Sequence, residues 1–412
     1  LLLNQEELVK KGEFADWILP AVLNDFKKSQ KENLESNPKR VELLRDSFLS
    51  FVDWEVMDQE IQDLEKVTKE DVVRVANKYF GEDYVVGFRV DQQHDLPSIE
   101  KPKIDPLEID PDKQSAFMKE VEGIPFNPFE PDFIESGKDF VSKEIAEGVT
   151  LVHVSNPLND LFGIEVRMGI GSAHEPMLPY LKRMLSRSGA GEISSENLKI
   201  EWYKLATDFG FAVRQHYSSF SLNGLDENFE ESLGLVEKHL LSPTLLSDTW
   251  EKTKEILLSE RDDEQKDPRA LSNALAHFHR YGQNSRFRKR PSDADLNAST
   301  PQNLGTLITD LLAVNRTILY FGPRSIEEIE KTILEGLIGQ KPTKKAPPIS
   351  PDRSFQASGN QVYFLQKEMA QAQVRLEFAV GTYEEEMTPL AQLYNEYFGG
   401  GMAGLVFQEL RE

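Results

Sequence analysis

The side chains of this chain that could do chemistry are scattered. Its seven histidines are His94, His153, His174, His216, His239, His277 and His279. Two imidazoles one helical turn apart can hold a metal ion, because residues at i and i+4 share one face of a helix. His277 and His279 are close in sequence, but a spacing of two turns them to different faces. Each histidine therefore reads as a core or surface residue. Cysteine is absent, which excludes a thiolate nucleophile, a disulfide framework and a Cys-ligated metal. There is no G-x-S-x-G elbow and no glycine-rich phosphate loop with its lysine.

Charge narrows the partners. Lys plus Arg number 47 against 70 for Asp plus Glu, a formal net charge of -23 over 412 residues. Such a surface repels a polyphosphate, so nucleic acid is not an expected partner. The most basic run, Arg286, Arg288, Lys289 and Arg290, lacks an aromatic ladder and reads as a solvated loop. The acidic surface serves solubility and would also draw cationic peptides. No apolar run approaches the roughly 20 residues of a membrane helix. Leu1 to Leu3 pass directly into Glu6 and Glu7 rather than into a signal-peptide core. The chain reads as soluble, with no membrane partner; a periplasmic or other non-membrane compartment stays open. It opens without Met inside a predicted helix, which implies an upstream part.

The elements that must position any site are built twice. Ile164, Val166, Met168 and Ile170 alternate with Gly163, Glu165, Arg167 and Gly169; Gly171 closes the strand, and Met177, Tyr180, Leu181 and Met184 follow at helical spacing. Shifted by 210 positions, Val374, Leu376, Phe378 and Val380 alternate, Gly381 closes, and Met387, Leu390, Ala391 and Tyr394 follow. Period two followed by period three-to-four, in one order at one offset, predicts a strand-turn-helix unit in tandem domains. A weaker echo relates Thr68–Phe88 to Thr300–Phe321, a helix and then a strand in both.

Helices are expected up to about residue 80, with apolar stripes through Trp17, Ile18, Ala21, Val22 and Phe26, and through Val41, Leu44, Phe48 and Phe51. Pro20 must lie in a first turn. Thr68 and Asp71 have capping-box spacing, and Val85, Val86 and Phe88 read as a strand. Prolines at 97, 102, 106, 111, 125, 128 and 131 mark an acidic linker interrupted by a short helix near Ala116–Val121. The next unit predicts strands at Val149–Val154, Phe162–Ile170 and Thr317–Phe321, a hairpin over Phe211–Leu225, and helices at Met177–Arg187, Phe229–Leu240 and Trp250–Arg261. The expected division is 1–95, linker 96–139, domain 140–340, linker 341–359, and the start of a further domain at 360–412.

The run Asn395–Glu412, N-E-Y-F-G-G-G-M-A-G-L-V-F-Q-E-L-R-E, resembles the Gly-rich turn and following helix of the C-terminal domain in the pitrilysin/insulysin family of zinc peptidases, the inverzincins. Read by spacing alone, it is a Gly-rich cap before a helix with Leu405, Val406 and Leu410 inward. The resemblance spans essentially the whole chain: residues 1–95 are similar to the end of the second family domain, 140–340 to the third, and 360 onward to the start of the fourth. It implies an α+β fold of tandem homologous domains, each a mostly antiparallel sheet with helices packed on one face.

Family chemistry rests on H-x-x-E-H in the first domain, where two His and a distant Glu hold zinc and the motif Glu takes a proton from the metal-bound water. Pro179, Tyr180, Leu181, Lys182 and Arg183 stand at that motif here, and Pro389–Leu393 stand there in the next copy. Pro179 has no side-chain donor, while Lys182 and Arg183 are cations. No metal site and no catalytic residue is expected in this chain; zinc is expected in a missing upstream domain of the parent. Glu260 stands near the third ligand and reads as an ordinary helix carboxylate. Arg411 matches a substrate-holding arginine, with a surface ion pair to Glu409 or Glu412 as the alternative. The resemblance thus implies a non-catalytic portion of a zinc metalloendopeptidase, inactive alone, that shapes a closed chamber and helps bind unfolded peptides or small proteins beside the missing catalytic half. The alternatives are a zinc-free scaffold subunit and a peptide-binding module.

Overall fold

A computed structural model describes residues 2–90, 100–103, 114–125, 130–349, 359–368, 372–377, 383–402 and 404–411. Six helices come first: α1 (Leu2–Lys10), α2 (Ile18–Glu35), α3 (Asn37–Ser50), α4 (Trp54–Asp58), α5 (Glu60–Leu64) and α6 (Lys69–Tyr79). Pro20 falls in the first turn of α2, where its missing N–H costs no hydrogen bond. The capping box on α6 is present, with Asp71 N donating to Thr68 Oγ1 at 3.2 Å and Thr68 N to Asp71 Oδ2 at 3.2 Å. The short helix α7 (Ala116–Glu122) follows.

The strands β1 (Val141–Ala146), β2 (Val149–Ser155) and β3 (Leu161–Met168) lead to α8 (Leu178–Leu185), β4 (Gly189–Ala190) and α9 (Ser195–Lys204). The hairpin β5 (Asp208–Val213) and β6 (Ser218–Leu225) precedes α10 (Phe229–Leu241), β7 (Pro243–Thr244) and α11 (Ser247–Glu264). Then come α12 (Pro268–Tyr281), α13 (Arg286–Lys289), α14 (Asp293–Ala298), α15 (Pro301–Ala313), β8 (Arg316–Gly322), α16 (Ile326–Glu335), α17 (Thr388–Gly399) and α18 (Leu405–Arg411). The run beginning at Arg286, expected as a loop, is the one-turn helix α13.

Residues 1–261 with 289–351 form one compact unit, and 262–288 with 352–412 form another. The larger unit is α+β. Its six-stranded sheet has the order β1-β2-β8-β3-β6-β5, and β2 with β8 is its parallel pair; the other neighbours run antiparallel. Alternation decides the faces. Leu151, Ile164, Val166, Met168, Leu222 and Ile318 point to one side, where they form a single core with Leu181 of α8, Val236 of α10, Trp250 of α11, Ile308 of α15 and Ile333 of α16. Glu165 and Arg167 point to the opposite side of β3 and pair with each other at 2.8 Å.

Gly171 ends the approach to α8 because a Cβ there would lie 2.5 Å from Arg214 O, Gln215 O and Tyr217 N. Lys341–Ile349, read from its prolines as a linker, is tied down. Thr343 N and Lys344 N both donate to Ala313 O at 2.9 Å, and Ala346 N donates to Asn315 Oδ1 at 2.7 Å.

Two expectations fail. Val85, Val86 and Phe88 belong to no strand and are 98 %, 54 % and 85 % exposed. A strand needs neighbours: β8, its counterpart in the sequence echo, lies between β2 and β3, and residues 85–88 have no such partner among the described residues. Of the second stripe, Val41, Leu44 and Phe48 lie on α3 while Phe51 is its C-cap in the left-handed region, and all four stay exposed.

In the smaller unit α12 starts on Asp267, whose Oδ1 accepts from Arg269 N at 2.8 Å. Arg280 Nη2 donates to Glu377 Oε1 at 3.0 Å. The helix half of the predicted repeat is present. Met177 and Met387 are N-caps of α8 and α17 with near-identical backbone angles (φ -83, ψ -13 and φ -81, ψ -13), and a proline follows in each first turn. The strand half of the second copy is not seen: residues 374–377 carry no strand, and 378–382 lie outside the described residues.

Candidate functional site

Helix α8 sets the place where the sequence put a metal motif. Leu178, Leu181, Met184 and Leu185 recur at helical spacing and are all 2 % exposed or less, so this face is sealed in the core. Pro179, Lys182 and Arg183 must then lie on the other face. Helix α11 is oriented the same way, by burial of Trp250, Thr253 and Leu257, and this brings Glu260 and Arg261 to α8.

The contact is specific. Arg183 Nη1 donates to Glu260 Oε1 at 2.9 Å and Nη2 to Glu260 Oε2 at 2.7 Å, a fork-to-carboxylate pair. One residue on, Arg261 Nη2 donates to Tyr180 Oη at 3.0 Å and to Pro291 O at 2.8 Å, and Arg261 also pairs with Asp293. Glu260 is therefore more than the ordinary helix carboxylate expected: it is the partner of Arg183 across two helices.

This arrangement does not suit zinc. Both carboxylate oxygens of Glu260 already accept from a permanent cation, Pro179 offers no side-chain lone pair, and Lys182 adds a second positive charge. The corresponding segment of α17, Pro389–Leu393, has no ionisable side chain. Among the described residues no group of three or more His, Cys, Asp or Glu side chains is placed to hold a metal ion. Arg411 lies at the end of α18; its side chain, and Glu412, lie outside the described residues.

The rings of His174 and His216 lie 6.0 Å apart, edge to face, and His216 Nδ1 is buried without a hydrogen bond; the other described histidines have separate partners. His153 Nε2 lies 2.8 Å from Arg324 O, and His174 Nδ1 accepts from Gly171 N at 3.1 Å. On α12, His277 faces Ser285 at 3.2 Å while His279 lies 3.7 Å from Glu377, the divergence that their spacing requires. His94 lies outside the described residues.

The fold also pairs buried polar groups. Ser188 Oγ and His239 Nε2 are 2.7 Å apart, and both residues are buried. Ser188 Oγ donates to Leu185 O at 3.0 Å, so it must accept from Nε2–H. His239 is thus a donor to the serine and cannot serve as its base. Nδ1 is buried without a partner, and burial lowers the pKa of His239 to about 4. Arg316 is 4 % exposed; its Nη2 donates to Leu312 O at 2.7 Å and to Gln340 O at 3.1 Å, and burial lowers its pKa. Neither group was visible in the sequence as a site, and both act as internal braces.

A cavity of about 330 Å³ opens beside the start of α8, with Ile170, Leu178 and Leu311 below and His174, Lys344 and Pro347 around it. No helix among the described residues is long and apolar enough to cross a membrane.

No family model and no curated protein matches this chain. Solved structures similar to it include a peptidase M16 inactive domain from Pseudomonas fluorescens, with a TM-score of 0.44 and 19% identity over 51% of this chain and 52% of that one. A conserved protein from Enterococcus faecalis has a TM-score of 0.49 and 17% identity over 67% of this chain and 70% of that one. The periplasmic protease PqqL from Escherichia coli has a TM-score of 0.47 and 13% identity, covering 86% of this chain and 42% of its own. The chain thus spans about half the length of the first of these.

Proposed function

We propose that this chain is the non-catalytic portion of a zinc-dependent metalloendopeptidase of the pitrilysin/insulysin type. In this reading 1–95 is the end of the first half, 96–139 the linker between halves, 140–340 a domain without H-x-x-E-H, and 360–412 the start of a fourth. The chain shapes the chamber and helps to hold an extended peptide, while zinc and the water it activates belong to a catalytic half of the parent. One observation carries the reading: the positions that correspond to the metal motif and its distant ligand meet across α8 and α11, filled by the ion pair Arg183–Glu260.

Arg411 is assigned to the substrate backbone, where a guanidinium can donate two hydrogen bonds to peptide carbonyl oxygens. The test is a peptidase assay of the complete parent with and without a chelator, on the unmodified protein and on Arg411→Ala. The reading expects chelator-sensitive cleavage and a slower Arg411→Ala. Equal rates for the two proteins remove Arg411 from the substrate site. A parent that lacks H-x-x-E-H and cleaves nothing points instead to a zinc-free scaffold of the same fold.

A further inference from the structure

We propose that the cavity beside the start of α8 binds a small zwitterion with an apolar side chain: an aliphatic α-amino acid or a dipeptide of one. The inference goes beyond the proposed function and does not depend on a catalytic half.

The cavity, about 330 Å³, lies at the lower end of the roughly 300–1,000 Å³ that small-molecule sites occupy. Its floor is continuous with the core. Leu178, Leu311 and Val314 are 2 % exposed or less, and Ile170 and Leu307 pack against the same cluster. An apolar side chain seated there leaves water for a surface that is already formed. One wall is the segment 344–347, and it is fixed in place. Lys344 N donates to Ala313 O and Ala346 N to Asn315 Oδ1, while a Cβ on Gly169 would stand 2.6 Å from Ala346 Cβ. A preformed pocket spares a ligand the cost of ordering one.

The charges decide the class of ligand. Four charged side chains line the cavity. Lys344 Nζ donates to Asp310 Oδ1 at 2.9 Å, so those two cancel. Lys345 and Glu175 are left. Lys345 has no hydrogen bond or ion pair among the described residues; its charge reaches Glu147 only through space, and Glu147 already pairs with Lys341. Glu175 Oε1 accepts from Met177 N at 2.9 Å, which leaves Oε2 without a partner. His174 adds a neutral donor: its Nδ1 accepts from Gly171 N at 3.1 Å, so the ring proton sits on Nε2. One spare cation and one spare anion over an apolar floor match a carboxylate, an ammonium and an apolar side chain carried by one small molecule. A fatty acid would leave Glu175 uncompensated, and an apolar amine would leave Lys345 so.

The test uses the whole chain and ligand-observed NMR titrations with L-leucine, L-leucyl-L-leucine, N-acetyl-L-leucine and L-leucinamide. One zwitterion per chain is expected, with a Kd of about 1 mM or tighter; the tighter of leucine and the dipeptide identifies the source. N-acetyl-leucine lacks the ammonium and leucinamide lacks the carboxylate, and each is expected to bind about tenfold more weakly than leucine. Lys345→Met should weaken leucine about tenfold and leave leucinamide unchanged. Glu175→Gln, which keeps an acceptor for Met177 N, should weaken leucine and leave N-acetyl-leucine unchanged. The proposal is overturned if neither zwitterion saturates the chain, if N-acetyl-leucine or leucinamide binds as tightly as leucine, or if both substitutions leave leucine binding intact. Should a variant lose the circular dichroism of the unmodified chain, the four ligands on the unmodified chain decide.

Discussion

Acid should weaken this protein through His239. Its pKa of about 4 in the fold lies below the ordinary 6.5 because burial disfavours the imidazolium. The hydrogen bonds give the same answer, since a proton added at Nδ1 would be a buried donor with no acceptor. The sign follows from linkage. Above the unfolded value both states are neutral and the group contributes nothing to the pH dependence. As pH falls from 6.5 toward 4 the unfolded chain binds a proton that the folded chain refuses, so stability declines across that window and levels off below it. For these two values the loss between pH 7.5 and pH 4.5 is about 2–3 kcal/mol. His239→Gln keeps a donor for Ser188 and removes the titration. The assay is urea unfolding at both pH values, followed by tryptophan fluorescence; of the four tryptophans, Trp202 stacks on Phe209 at 5.5 Å, and Phe209 in turn lies 5.4 Å from His239. The unmodified chain should lose about 2–3 kcal/mol more than the variant on going to pH 4.5. Equal losses would refute the reasoning, and so would a larger loss in the variant.

Leu181 is fully buried where α8 meets the sheet. Leu181→Ala should cost about 2–5 kcal/mol in urea unfolding, through lost transfer energy and the cavity left behind. Gly171→Ala would place a methyl group 2.5 Å from three backbone atoms of residues 214–217, and a loss of about 1–3 kcal/mol is expected from the forced shift. Arg183→Met should cost about 1 kcal/mol or less, because both partners of its ion pair are more than a third exposed; a drop several times larger would show that the pair is a principal brace of the unit.

Much of the fold could be read locally. Tyr180, Leu181 and Met184 announced α8, although its buried face also takes in Leu178 and Leu185, which the predicted stripe left out; Ile164, Val166 and Met168 announced β3, and Thr68 with Asp71 announced the start of α6. Each of these signals is a periodicity or a cap, decided within a few residues of chain. Other segments depended on a distant partner. Val85–Phe88 has the composition of a strand, but composition supplies no neighbour. Lys341–Ile349 has the prolines of a linker, yet it is held by backbone acceptors at Ala313 and a side chain at Asn315.

The candidate site divides along the same line. That Pro179, Lys182 and Arg183 cannot ligate zinc follows from side-chain chemistry, which the sequence states completely: one residue lacks a donor atom and two are cations. Their pairing does not follow. Arg183 and Glu260 are 77 residues apart, and Ser188 and His239 are 51 apart. Residue type and periodicity belong to the chain, since they depend on neighbours a turn or a strand away. Which carboxylate faces which guanidinium, and which histidine is sealed from water, depends on how helices α8, α10 and α11 lie on one sheet, and burial in the shared core decides that.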